Sequence, residues 1–174
     1  MKKLLLVIDM QNDFINGSLG TEAAQAIVPL VKEKIQKYKQ NNDLVIFTRD
    51  THNDNYLQTQ EGRNLPIIHC IIGTPGHDIS AELDTNGCEI INKPSFGYLA
   101  LAKHIAEKES QWNEIELCGL CTDICVVSNA LILKAQLPET RIIVDAQCCA
   151  GVTPESHAAA LLTMKMCQVK VIGV

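Results

Sequence analysis

The chain has 174 residues, with 47% hydrophobic and 20% charged residues and a net charge of −5. This length suits a single domain over residues 1–174, and a mean hydropathy of +0.06 excludes a chain that is disordered throughout. The acidic balance gives no overall attraction to nucleic acid or anionic lipid. No apolar run reaches the roughly 20 residues that a membrane helix needs. We therefore expect neither a nucleic-acid partner, because of the charge, nor a membrane partner.

Six segments rich in Val, Ile and Leu predict buried strands: Lys3–Asp9, Asp43–Arg49, Cys88–Lys93, Glu114–Gly119, Arg141–Asp145 and Val169–Gly173. Continuous apolar runs of this kind are typical of a parallel sheet that is covered on both faces. Helical patterns lie between most of them: Glu22–Gln40 after a Thr21 cap, about Tyr98–Lys108, onward from Thr122–Asp123, and onward from Thr153-Pro154-Glu155.

The first of these helices carries Pro29, which we expect to kink the helix or delay its start. Its apolar residues Ala26, Leu30 and Ile35 predict one buried stripe. Alternating strands and helices predict a three-layer α/β/α fold with a doubly wound, mostly parallel sheet of about six strands. Residues 52–81 have little regular pattern, and a long irregular stretch in a compact domain favours a functional loop.

The eight cysteines invite a disulfide framework. However, the N-terminal apolar stretch from Leu4 to Ile8 is too short for a secretion signal, and most cysteines lie in apolar segments. We therefore expect free thiols, mostly buried, and a cytoplasmic location. The Cys118-Gly-Leu-Cys121 pair leaves open a redox function, which a cysteine inside a predicted strand disfavours.

In doubly wound sheets, ligands bind at the carboxyl ends of the strands. Asp9 and Lys93 each follow an apolar strand, and Cys125 should lie in the first turn of a helix, where backbone N–H groups favour a thiolate. Cys125 alone could be a small buried hydrophobe, and Asp9 and Lys93 a structural ion pair. Their convergence from three strand ends instead favours a cysteine nucleophile with an acid–base partner and a stabilising cation.

Three motifs resemble the isochorismatase-like cysteine hydrolases: DMQNDF at 9–14, NKPSFGY around Lys93, and GLCTDICV at 119–126. The resemblance covers nearly the whole chain and implies the isochorismatase-like hydrolase fold. It also implies a catalytic triad of Asp9, Lys93 and Cys125. It further implies a cis peptide bond between Leu120 and Cys121, with the amides of Cys121 and Cys125 forming an oxyanion hole.

Asp50 and His52 alternate along an extended segment and so can face one side, with His69 further on. By themselves these residues indicate either a divalent-metal site or polar loop residues. The pattern DTH…HCIIGTPG is similar to the metal motif of nicotinamidases, which implies Asp50, His52 and His69 as ligands and Glu61 as a further one. Zinc is the first expectation, and manganese, iron and magnesium stay open.

The same resemblance implies Phe14 and Phe96 as ring-packing residues of a substrate pocket. Two departures stand out. The common DWHP version of the metal motif is DTHN here, and the loop Asn53–Pro66 lacks the familiar sequence after the second ligand. We therefore expect a pocket wall that differs from the usual one.

The predicted activity is hydrolysis of nicotinamide to nicotinate and ammonia through a thioester. Another small amide, a carbamoyl compound or a ureido compound is the alternative on the same triad. A non-catalytic metal- or ligand-binding protein is the alternative outside the enzymes, and a flavodoxin-like carrier would need a phosphate loop in place of DMQNDF. We expect a homo-oligomer, with a dimer first.

Overall fold

A computed structural model of the chain describes residues 2–107 and 112–174. Its sheet has six parallel strands in the order β3-β2-β1-β4-β5-β6. The strands are β1 Lys2–Ile8, β2 Leu44–Asp50, β3 Glu89–Lys93, β4 Trp112–Leu120, β5 Arg141–Ala150 and β6 Lys170–Ile172. The predicted doubly wound α/β sheet is confirmed, and it is parallel throughout its pairings.

The helices are α1 Asn12–Ile15, α2 Glu22–Gln40, α3 Gln60–Asn64, α4 Leu99–Ala106, α5 Val127–Gln136 and α6 Pro154–Met166. A 3₁₀ turn covers Tyr56–Gln58, and a π-helical turn covers Thr122–Val126 directly before α5. The chain winds one way along the sheet through α2 and the other way through α4, α5 and α6. Since such crossovers are right-handed, the two sets of helices cover opposite faces.

The central strand explains the apolar run at the start of the sequence. β1 pairs with β2 on one side and β4 on the other, and both of its faces are covered. Leu4, Leu5, Leu6, Val7 and Ile8 are consequently all fully buried. A strand in this position has no solvent-facing side, so its sequence shows no alternation of polar and apolar residues.

Helix α2 begins where the sequence predicts, because the Thr21 side chain accepts a hydrogen bond from the Ala24 amide at 3.0 Å. Pro29 lies inside the helix and does not delay its start. The predicted stripe is right for Ile35 and wrong for Ala26 and Leu30, which are exposed. The face against the sheet is instead formed by a neighbouring apolar stripe of the helix: Ala24, Ile27, Val28, Val31 and Tyr38.

Most strand boundaries differ from the prediction by one or two residues, and the end of β5 differs by five. β5 continues past an irregularity in its pairing with β4, so Cys148 and Cys149 lie within the strand and not after it. The predicted helix over Tyr98–Lys108 is α4, which begins at Leu99, and Lys108 lies outside the described residues. α6 begins at its predicted cap, Thr153, which forms a capping box with Ser156.

All eight cysteines are free, as predicted, and five of them are buried. None of the helices in the described part of the chain combines the length and hydropathy that a bilayer crossing needs.

Candidate active site

The three predicted catalytic residues meet at the carboxyl edge of the sheet. Asp9 directly follows β1, Lys93 ends β3, and Cys125 lies in the π-helical turn after β4. The Lys93 side chain extends past the end of β2, so that its Nζ lies 2.7 Å from Asp9 Oδ2 and 3.4 Å from Cys125 Sγ. All three side chains are buried. The structure brings them together as predicted, while their catalytic roles stay a prediction.

The Asp9 carboxylate has a second fixed partner, Thr48 of β2. The Thr48 hydroxyl donates to Asp9 Oδ1 at 2.6 Å and accepts from the Asp9 amide at 3.2 Å. This residue was missed in the sequence, although a single hydroxyl inside a buried apolar strand is a usable signal. The two bonds fix the direction in which the carboxylate faces.

Burial and charge set the protonation of the site. Burial raises the pKa of the Cys125 thiol well above its usual range, and neighbouring Asp9 adds to this more than Lys93 opposes it. Burial also raises the pKa of Asp9, against the effect of Lys93. For Lys93, burial lowers the pKa, but Asp9 and Cys125 more than offset it, so the pKa is raised. The raised pKa values of Cys125 and Lys93 favour a protonated thiol beside an ammonium group, and the 2.7 Å contact of that ammonium with Asp9 favours the ionised carboxylate.

The turn that carries the nucleophile candidate has the expected backbone. The peptide bond between Leu120 and Cys121 is cis, and the Cys121 carbonyl accepts from the amides of Ile124 and Val126, each at 3.1 Å. Just before it, Gly119 has a φ of 117°, and a side chain there would collide with the Ile8 carbonyl of β1. The oxyanion hole at the Cys121 and Cys125 amides stays a prediction.

A second cluster lies beside the triad and contains Asp50, His52, Glu61 and His69. Asp50 ends β2, His52 follows it, Glu61 belongs to α3, and His69 lies further along the irregular segment. One ligand atom from each lies within 4.8 Å of all the others. His52 Nε2 is 2.9 Å from Asp50 Oδ2, and His69 Nε2 is 3.7 Å from the same oxygen.

The donors of this cluster fit a divalent metal ion. His52 Nε2 and Glu61 Oε1 are buried and have no hydrogen-bond partner, which is costly unless a cation is bound between them. His69 Nδ1 lies 2.8 Å from the Ile67 carbonyl, which leaves Nε2 to face the cluster. Two imidazoles with two carboxylates suit zinc or iron better than magnesium.

Aromatic rings enclose the cluster. The Tyr56 ring lies with its centroid 4.6 Å from that of His52 and 4.9 Å from that of His69, and Phe14 lies 5.6 Å from His69. The Tyr56 hydroxyl bonds the Leu65 carbonyl at 2.9 Å, which fixes the ring. Tyr56 was missed in the sequence, where it is an isolated aromatic residue in an irregular segment.

Asp50 joins the cluster to the triad. Its Oδ1 lies 3.3 Å from Lys93 Nζ, while its Oδ2 faces the two histidines. Burial raises the pKa of Asp50, but the adjacent imidazoles of His52 and His69 and the charge of Lys93 outweigh it, so the pKa is lowered. One ionised carboxylate is thus shared by both groups.

A cavity of about 310 Å³ opens onto both groups. Cys125 and Cys121 reach it from one side and Asp50, Glu61 and His69 from another. The rest of its wall is mostly apolar and includes both predicted substrate residues: Phe14, Phe96, Leu19, Leu65, Leu120, Ile124 and Val152. Thr51 lies 2.9 Å from a ring nitrogen of His77 and is not among the lining residues, whereas Glu61 and Leu65 of the irregular segment are. A wall that differs from the usual one stays a prediction.

Comparison with known proteins places this site in a family. Residues 3–174 match the family model described as Isochorismatase domain. The chain belongs to the isochorismatase family. It is 33% identical to PncA, an isochorismatase family protein of Bacillus subtilis, over 92% of this chain and 93% of that protein. It is 27% identical to the nicotinamidase/pyrazinamidase of Mycobacterium tuberculosis, over 98% of each chain.

Among solved structures, the pyrazinamidase of Pyrococcus horikoshii in complex with zinc superposes with a TM-score of 0.84 at 28% identity, covering 100% of both chains. The isochorismatase-like fold that the motifs predict is therefore confirmed. Family membership makes the chain a hydrolase of the isochorismatase type.

Proposed function

We propose that this isochorismatase-family protein is a cysteine-dependent hydrolase of a small amide, and that nicotinamide is the leading candidate for its substrate. The observation that carries the proposal is the contact of Lys93 with both Asp9 and Cys125 beside a cavity that also reaches the metal cluster. A thiol, a buried carboxylate and an ammonium group are the parts that nucleophilic acyl transfer needs.

In the first half of the reaction, Asp9 accepts the Cys125 proton as sulfur attacks the amide carbon. The raised pKa of Asp9 suits it to take a proton from a thiol. Lys93 keeps its charge next to both groups and so stabilises the negative charge that forms on sulfur. The amides of Cys121 and Cys125 hold the oxyanion, Asp9 gives its proton to the departing ammonia, and a thioester remains.

In the second half, Asp9 accepts a proton from the water that attacks the thioester carbon. Collapse of this intermediate breaks the C–S bond, the sulfur takes the proton back, and the acid leaves. The net change is amide plus water to acid plus ammonia. Asp50, His52, His69 and Glu61 would hold a divalent metal ion. When bound, the ion would offer an open coordination position to a ring nitrogen or to water.

The cavity wall favours a neutral ring amide over a ureido or carbamoyl acid. None of the described residues that line it is Lys or Arg. A substrate carboxylate would therefore meet no basic side chain in the apolar part of the wall, which is costly. Phe14 and Phe96 instead offer flat faces for a ring. The similarity to proteins named as nicotinamidases supports the same choice.

The test measures ammonia release from nicotinamide by zinc-loaded protein and by two variants. We expect Cys125→Ala to lower turnover by at least about a thousandfold, because the nucleophile is gone. Cys88→Ala is the matched control, since Cys88 directly precedes β3, contacts the Asn86 carbonyl and is not among the residues that line the cavity. Turnover that persists near the parent rate in Cys125→Ala would contradict the mechanism.

A ureido acid forms the second arm of the same assay. Release of ammonia from it, with none from nicotinamide, would discard nicotinamide and keep the cysteine mechanism. If folded, zinc-loaded protein hydrolyses neither compound and no other small amide in a screen, the proposed hydrolase function is wrong. A non-catalytic metal- or ligand-binding protein is then the better explanation of the site.

A further inference from the structure

Two side chains in the segment after β1 contact the backbone of the segments that carry the metal cluster. They are Gln11, which is fully buried, and Asp13, which is half-buried. Neither belongs to the triad or to the cluster. Both are part of the segment that begins with Asp9, so they connect the acid–base residue to the metal ligands.

Gln11 holds the end of β2. Its Oε1 accepts from the Asp50 amide at 2.7 Å, and its Nε2 donates to the Asp50 carbonyl at 2.9 Å. The same Nε2 donates to the His77 carbonyl at 2.9 Å. The side-chain amide therefore acts like one more residue of a strand ladder, and it fixes the peptide groups on both sides of the Asp50 side chain.

Asp13 holds the segment that carries His69. Its Oδ2 accepts from the Cys70 amide at 2.8 Å, directly after His69, where Cys70 has a φ of 47°. Its own amide donates to the Gly76 carbonyl at 3.1 Å, and a side chain at position 76 would collide with the Asp13 carboxylate. The close approach leaves the 69–76 turn little freedom relative to β1.

We propose that Gln11 and Asp13 are positioning residues for the metal cluster. Gln11 sets the position of Asp50 at the end of β2, and Asp13 sets the position of His69 on the irregular segment that follows. The inference rests on the proposed metal site. The segment after β1 preorganises that site, so that little ordering is left for the metal ion to impose.

The test is zinc affinity, measured on folded protein by competition with a chromophoric chelator. We expect Asp13→Ala and Gln11→Met each to weaken zinc binding by about 10- to 100-fold, the range seen when groups that orient metal ligands are removed. Asp13→Asn keeps an acceptor oxygen for the Cys70 amide and should bind zinc close to the parent value. With cobalt in place of zinc, the absorption spectrum should change in Asp13→Ala and not in Asp13→Asn.

Two matched controls separate positioning from a general loss of stability. Asp43→Ala removes a carboxylate that accepts a backbone amide, that of Lys3, at 2.9 Å at the opposite edge of the sheet. Asn129→Leu removes a buried amide that donates to the Cys125 and Phe96 carbonyls. Both should lower the melting temperature while leaving zinc affinity within about twofold, because neither residue contacts a segment of the cluster.

Zinc affinity within twofold of the parent in both Asp13→Ala and Gln11→Met would overturn the inference and leave the proposed function intact. A parent protein that binds no zinc would overturn the metal site and the inference together. If Gln11→Met does not fold, the comparison of Asp13→Ala with Asp13→Asn decides the matter.

Discussion

The triad and the metal cluster lie side by side at one edge of the sheet, yet their charges are balanced in different ways. In the triad, Lys93 Nζ lies 2.7 Å from Asp9 Oδ2 and balances its charge. The Thr48 hydroxyl donates a hydrogen bond to the other carboxylate oxygen, Oδ1. In the cluster, His52 Nε2 and Glu61 Oε1 are buried without a hydrogen-bond partner. Asp9 therefore has its counter-charge within the protein, whereas the cluster gathers two imidazoles and two carboxylates that a cation would bind.

The two groups also differ in how the chain supports them. The triad residues come from two strand ends and a turn directly after a third strand. Of the cluster residues, only Asp50 ends a strand, and the others lie on the irregular segment that follows. This segment depends on distant contacts such as those of Gln11 and Asp13. We therefore expect the triad to govern stability without metal, and the cluster to govern the response to metal.

The largest expected effect on stability comes from breaking the triad pair. Lys93→Met leaves Asp9 as a buried carboxylate without its counter-charge, which costs about 3–5 kcal/mol of unfolding free energy. Urea denaturation of metal-free protein measures this loss. Lys37→Met is the matched control, because its ion pair with Glu33 is exposed and contributes about 0–1 kcal/mol. Equal losses in the two variants would contradict the comparison.

The next effect is the response to metal. Zinc at about 100 times its dissociation constant should raise the unfolding free energy of the parent by about 2.7 kcal/mol, and a chelator should reverse it. His69→Ala should lose most of this gain, because one buried ligand is gone. His104→Ala, which removes a surface histidine paired with Glu89, should keep it. Thermal unfolding with and without zinc measures both, and a full zinc response in His69→Ala would remove that residue from the cluster.

The smallest effect concerns the support behind the cluster. Burial, together with the charge of Arg49, lowers the pKa of His77. A ring nitrogen of His77 forms a hydrogen bond with the side chain of Thr51, the residue between Asp50 and His52 in the sequence. As pH falls below the ordinary histidine pKa, the unfolded chain binds a proton that folded His77 does not, so stability must fall. We expect metal-free parent protein to lose stability from about pH 6.5 downward.

His77→Gln should reduce this loss without removing it, because burial likewise lowers the pKa of His157. Urea denaturation at a series of acidic pH values provides the measurement. A slope against pH that is unchanged in His77→Gln would show that His77 does not titrate differently in the folded state.

Several features of this protein are determined by short stretches of its sequence. The apolar run of β1 requires a strand covered on both faces, and Thr21 and Thr153 begin their helices through local hydrogen bonds. Asp9 and Lys93 could be placed at the functional edge because parallel strands bring their carboxyl ends together. These inferences succeed because the interactions behind them span only a few residues or follow from strand direction.

Other features depend on contacts that only the tertiary structure decides. The buried face of α2 was misplaced at Ala26 and Leu30, because the choice between two apolar stripes depends on which one meets the sheet. The hydrogen bond of Gln11 to Asp50 spans 39 residues, and that of Asp13 to Cys70 spans 57. No local pattern specifies such partners, since they become neighbours only after β1 and β2 have paired and the irregular segment has packed against them.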